Sequence, residues 1–158
     1  MKIFLWSVIF ICLCACNVQT DEQLLSNFHM HKDDFDTLIT MFLEDDNVEK
    51  IRADFFLPQS AEISSSRLST YGHFFEKLSI NGIEGYGQKK IISIISSSVG
   101  ISVSGSSKGY IYTTQIVEPI VDNLDKYYLS IKDSSNFMAY RAYRHIHENW
   151  YLYHLVDR

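Results

Sequence analysis

Near Gly82 the hydrophobic period of the chain changes from that of a helix to that of a strand, and this switch restricts the fold to a mixed class. Before it, "EQLLSNFHMHKDDFDTLITMFLED" places Leu24, Leu25, Phe28, Phe35, Leu38, Ile39 and Phe42 on one helical face. Thr20 or Asp21 is positioned to cap its start. The acidic "EDDN" from Glu44 ends it against the negative pole of the helix dipole, which predicts fraying. "KIRADFFLPQ" alternates at Ile51, Ala53 and Phe55 and reads as a strand closed by Pro58. Ser64, Ser65 and Ser66 are N-cap candidates for a second helix, whose apolar face is Leu68, Tyr71, Phe74, Phe75 and Leu78, with Asn81-Gly82 as its stop. Beyond Gly82, "KKIISIISSS", "GISVSG", "KGYIYTTQIV", "KYYLSIKD", "NFMAYRAYRHIH" and "NWYLYHLVD" are short, β-branched and aromatic, and separated by turn residues. The expectation is an α+β domain spanning 24–158, two helices packed on one antiparallel meander of about five to six strands.

Nothing covalent supports that domain. All three cysteines, Cys12, Cys14 and Cys16, lie near the N-terminus, so the body must be held by a hydrophobic core. Its length suffices for one, and with only two prolines and an ordinary charged fraction of 21%, extensive disorder is not expected. The net charge of −5 and the lack of a basic stripe argue against nucleic acid as a partner.

The cysteines belong to the leader. "MKIFLWSVIFICLCACNVQT" begins with Lys2 and continues through an apolar run, Ile3 to Leu13, broken only by Ser7. That is the layout of a secretory signal, too short for a permanent membrane span. It ends in Leu13-Cys14-Ala15-Cys16, which resembles the lipobox of bacterial lipoproteins, where a small residue precedes a cysteine that is lipidated before cleavage. Ile11 and Leu13 are too bulky to precede the cut, whereas Ala15 fits, so the resemblance implies lipid attachment at Cys16. It further implies a signal peptide at 1–15, a tether at 16–23 and a membrane-anchored protein of the cell envelope. Two or more acyl chains hold firmly where one does not. Asn17 is not the aspartate that retains many such proteins in the inner membrane, which points to the outer membrane, facing the periplasm, in a Gram-negative cell.

Motifs that would carry chemistry are sparse. "GISVSGSSKGY" lacks the Gly-Lys-Ser/Thr order of a phosphate loop and reads as a hairpin turn. There is no Gly-x-Ser-x-Gly elbow, and no free thiol once Cys16 is acylated. "DDFD" and "EDDN" lack the calcium-loop pattern, and His29 and His31 are too close in sequence to share a helix face. In "RHIHENWYLYH", a two-residue turn at Glu148-Asn149 sets His147 opposite Trp150, His145 opposite Leu152 and Tyr143 opposite His154. His145, His147 and His154 then share one face, an arrangement suited to zinc or copper. One residue more in the turn flips the parity of one strand and destroys it.

The second half is also rich in aromatics. "GYIY", "KYY", "MAYRAYRHIH" and "NWYLYH" alternate Tyr and Trp with Arg141 and Arg144, so one sheet face becomes core and the other displays residues favoured at protein interfaces. Cross-strand aromatic pairing stabilises a sheet without any partner and accounts for part of the pattern. "SGSSKGYIY" and "YRHIHENWYLYH" resemble stretches of small uncharacterised bacterial lipoproteins over the C-terminal third, a resemblance that implies no activity. The sequence therefore assigns no catalytic, cofactor-binding or metal residue. It points to a non-enzymatic envelope module that binds another protein, accessory or immunity-type. The alternative is a small-ligand or metal-binding domain using the histidine hairpin.

Overall fold

A computed structural model describes residues 18–53, 63–101, 104–134 and 139–157. Cys16, the rest of the expected signal peptide and the expected strand end at Pro58 lie outside the described residues. The elements run α1 (Asp21–Glu44), β1 (Lys50–Arg52), α2 (Ser65–Leu78), β2 (Gly82–Tyr86), β3 (Ile91–Ile101), β4 (Ser104–Thr113), α3 (Leu124–Ile131), β5 (Ala139–His147) and β6 (Trp150–Asp157). The described strands form one antiparallel sheet of six, ordered β1-β2-β3-β4-β6-β5.

The α+β class stands, with two corrections. The described residues form three helices, because "KYYLSI" lies in helix α3 and not in a strand. Asn123 caps it by accepting from the Lys126 N–H, and Leu124, Tyr127, Tyr128 and Ile131 recur at helical spacing. The paired tyrosines gave a strand signal that capping and periodicity override. Nor is the sheet a simple meander. α3 intervenes between β4 and β5, and β6 returns between them, leaving β5 at the edge. β2, unforeseen in the Gly-interrupted "GIEGY", fills the other half of the sheet.

α1 begins at Asp21, so the expected tether of 16–23 is shortened by the helix's first residues. Thr20 and Gln23 form a reciprocal capping box. At the other end the expected fraying is opposed. The Lys89 ammonium donates to the carbonyls of Phe42 and Asp45, and Arg67 donates to the Met41 carbonyl at 2.8 Å and to Asp45 at 2.9 Å. Cations recruited from α2 and from the β2–β3 turn thus meet the negative pole of the helix. α2 is capped by Ser64, and closes on Ser79 in the left-handed region (φ 52) instead of at Asn81-Gly82.

The helices cover one sheet face. Leu24, Phe28, Phe35, Leu38 and Phe42 of α1 pack with Tyr71, Phe75 and Leu78 of α2 onto Ile83, Ile92, Ile94, Tyr110, Trp150 and Leu152. Phe28 and Phe35 sit 5.3 and 5.8 Å from the Trp150 ring, whose Nε1 donates to Asp36 at 3.1 Å. Gly109 is required where β3 bulges, since a Cβ there would lie 2.1 Å from the Ile94 carbonyl oxygen. On the reverse face the loop after β4 lays Val117 against Ile111, Tyr143 and Tyr153. Backbone bonds from Tyr143 to the Pro119 carbonyl and from Val121 to the Tyr143 carbonyl strap this loop to the edge of β5.

Candidate functional site

The strongest concentration of chemistry lies where α1 begins. Lys108, on β4, points to the helix-covered face and is fully buried, as is Asp21 in the first turn of α1. The hairpin expected in "GISVSGSSKGY" is the β3–β4 pair, but Ile101 already faces Ser104, so "SGSSKG" lies within strand β4. The Lys108 ammonium donates to Asp125 Oδ1 at 2.5 Å and lies 2.7 Å from Asp21 Oδ1, outside hydrogen-bonding angles, so that second contact is purely ionic. Asp21 Oδ2 accepts from the Leu124 N–H at 2.7 Å and from Arg144 at 3.3 Å, and the Asp21 N–H donates to Asp125 Oδ2 at 2.8 Å. Arg144 also reaches Glu22 at 3.2 Å.

Each partner arrives from a different element: α1, β4, α3 and β5. Lys108 and Arg144 balance Asp21 and Asp125, which is what lets full charges sit in a core at all. Desolvation pushes the Asp125 carboxyl upward, but bonds from Lys108 and the Asp21 N–H win and hold it below the usual carboxylate range.

His154 lies beside this cluster, paired with Lys108 on one side and Ala142 on the other. Its Nε2 is 3.0 Å from Ser106 Oγ, and the edges or faces of Tyr128 and Tyr140 close on its ring at 5.0 and 5.2 Å. Burial, then the Lys108 charge, pushes its pKa down to about 4, so the ring is neutral near pH 7. Nδ1 is buried with no hydrogen-bond partner among the described residues. An unprotonated Nδ1 leaves a lone pair unmet, whereas a protonated one strands a donor, the costlier of the two. The tautomer so favoured carries its proton on Nε2 and donates to Ser106. That is the reverse of a general base acting on a serine, and no carboxylate orients the ring. The pair is a packed core contact.

The three histidines proposed to share a face do not. The turn at Glu148-Asn149 has the expected two residues, but β5 carries a bulge between His145 and His147. His145 therefore pairs with Tyr151, and His154 with Ala142 instead of Tyr143. His145 falls on the reverse face, stacked edge-on with Tyr151 at 5.1 Å, while His147 and His154 stay on the helix side. Among the described residues no three His, Cys, Asp or Glu side chains are grouped to hold a metal ion. His29 is exposed, and His31, at a kink in α1, lies 3.4 Å from Asp34. In "DDFD" Asp36 pairs with Lys32 and Asp34 with Lys77, and in "EDDN" Glu44 and Asp45 pair with Arg67.

The aromatic strands divide between the faces. Trp150, Tyr110 and Tyr140 are core; Tyr143, Tyr151 and Tyr153 lie on the reverse face. Arg144, expected on display, turns inward to Asp21, while Arg141 is exposed on the reverse face beside Leu155. The strapped loop adds Ile116, 90% exposed, and Ile120, 57% exposed, next to these residues. Sequence reasoning missed this pair, because a loop isoleucine shows no period.

No family model, curated protein or solved structure matches the chain. No helix among the described residues is long and apolar enough to cross a membrane.

Proposed function

We propose that the chain is a bacterial envelope lipoprotein, acylated at Cys16, whose body is a non-enzymatic module that binds another envelope protein. An accessory subunit or an immunity-type inhibitor fits this description. The observation that carries the binding role is the reverse face of the β5–β6 hairpin. There Ile120 stands in solvent alongside Tyr143, the residue between Arg141 and His145 on that face, and Ile116 projects from the same loop, which backbone bonds fix to the sheet. Aliphatic, aromatic and arginine side chains on a pre-organised surface are the usual material of a binding centre. An anchor that confines both partners to one membrane raises effective concentration, so a modest contact suffices.

In-cell crosslinking with full-length protein tagged after Arg158 tests both parts. One dominant envelope partner is expected, lost on Cys16→Ser and lost again, with anchoring intact, in Ile116→Glu and Arg141→Glu. A partner retained by both surface variants, or no partner from correctly anchored protein, overturns the binding role. Acyl labelling that persists in Cys16→Ser overturns the assignment of the anchor.

A further inference from the structure

The anchor reading has a geometric consequence at the point where the chain enters the body. Gln19 is already docked: its side-chain oxygen accepts from Ser96 Oγ, which also donates to the Ser79 carbonyl at 3.2 Å. Thr20 is occupied as the cap of α1. Only Asn17 and Val18 separate Cys16 from Gln19, three Cα steps and a reach of about 11 Å at full extension. A lipidated Cys16 sits at the bilayer surface, so the region around Gln19 must lie at that surface too. This inference rests on the lipid-anchor reading above.

We infer that the body does not swing on a tether but rests on the bilayer through the end of the sheet at Gln19, where Ser79 and Asn81 bond to the same Ser96, and Ser98 and Val99 continue β3 beyond it. Ser79, Asn81, Ser98 and Val99 are exposed. Asn81 is tied to the same point, donating to the Ser96 carbonyl at 3.0 Å. Charge distribution agrees. The protein carries a net charge of −5, yet the run from Ile91 to Ser107 contains no charged residue, nor does Ser79 to Ile83. The acids that follow Gln19 in sequence are both engaged, Asp21 with Lys108 and Arg144 and Glu22 with Arg144. An acidic body thus approaches an anionic leaflet by a hydroxyl-rich surface low in charge, with Asp157, paired to Gly105 two strands from Gly100, as an exposed acid at this end of the sheet. The carboxylates and cations of the β2–β3 turn and of the α1 C-terminus belong to the far end of β3, some nine residues or about 30 Å from Val99.

The absence of any other thiol in the mature chain makes the test clean. A single fluorescent donor is placed by Val99→Cys or by Lys90→Cys, at opposite ends of β3, in full-length lipidated protein. The protein is reconstituted into vesicles of phosphatidylethanolamine and phosphatidylglycerol carrying a headgroup-linked acceptor. Energy transfer several-fold greater from residue 99 than from residue 90 is expected, and a flexible glycine–serine segment inserted between Asn17 and Val18 should erase the difference. Equal transfer from both positions in vesicle-bound protein overturns the inference and leaves the anchor standing, as does an asymmetry that survives the insertion. Protein that fails to float with the vesicles removes the anchor reading and this inference together.

Discussion

The two ends of α1 are both tied to the sheet by cations, but in opposite surroundings. At the N-terminal end, Asp21 and Lys108 meet with no access to water, and Asp125 and Arg144 complete a neutral set. At the C-terminal end, Lys89 and Arg67 bond to the last carbonyls and to Asp45 at a half-exposed surface. Water at the second site can replace a lost partner. At the first, water reaches Asp125 and Arg144 but neither Asp21 nor Lys108. The same kind of interaction is therefore expected to differ severalfold in what its removal costs, and the expensive end is the one next to the proposed anchor.

Removing one buried partner should produce the largest effect. Lys108→Met leaves Asp21 and Asp125 without their shared cation and is expected to cost about 3–5 kcal/mol, read from denaturant unfolding. Adding Asp21→Leu and Asp125→Asn to that variant should recover much of the loss, since an apolar set of similar volume tolerates burial. If the triple variant is no more stable than the single one, the cost lies in packing and not in an uncompensated charge.

Acid should act next, and at the N-terminal end. The folded pKa of His154, about 4, lies below the ordinary 6.5, so between those values the unfolded chain binds the extra proton. Stability should be fully present above pH 6.5 and should fall as pH drops toward 4, by roughly 3 kcal/mol from this group. Asp125, with its depressed carboxyl, adds loss in the same direction at lower pH. His154→Phe should flatten the slope between pH 4 and 6.5. An unchanged slope would place the acid sensitivity elsewhere.

At the half-exposed end, Lys89→Met or Arg67→Ala should each cost about 1 kcal/mol, the scale of a lost helix cap. Faster amide exchange over Met41 to Glu44 should accompany it. The smallest effect is expected from Lys77→Ala, whose bond to Asp34 is exposed on both sides; a change within about 0.5 kcal/mol, vanishing at high salt, is the expected outcome. A larger loss there would contradict the argument that solvent access sets the scale.

How far the sequence could be read follows the same division between local and distant. α1 and α2 are legible because their apolar residues repeat every three or four positions and Thr20 and Ser64 are recognisable caps. β6 and most of β5 are legible by alternation. α3 carried a readable signal, Asn123 followed by a helical spacing, which its tyrosines obscured. β2 carried almost none, since Gly82, Glu84 and Gly85 interrupt any alternation and only pairing with β3 makes the segment a strand. The histidine hairpin failed on one bulged residue, which local sequence does not announce.

What the sequence determined by itself is whatever neighbouring residues decide: the helices, their starts, the mixed class and the lipobox resemblance that carries the anchor proposal. Only the tertiary structure decided the order of the strands, the register of β5, the capping of α1 by Lys89 and Arg67, and the buried set at its other end. Asp21 and Asp125 lie 104 positions apart, and nothing in either neighbourhood marks it for the other. They meet because α1 and α3 must both bury apolar faces on the same side of one sheet. That packing, not any local preference, carries Lys108 out of water and makes their charges necessary.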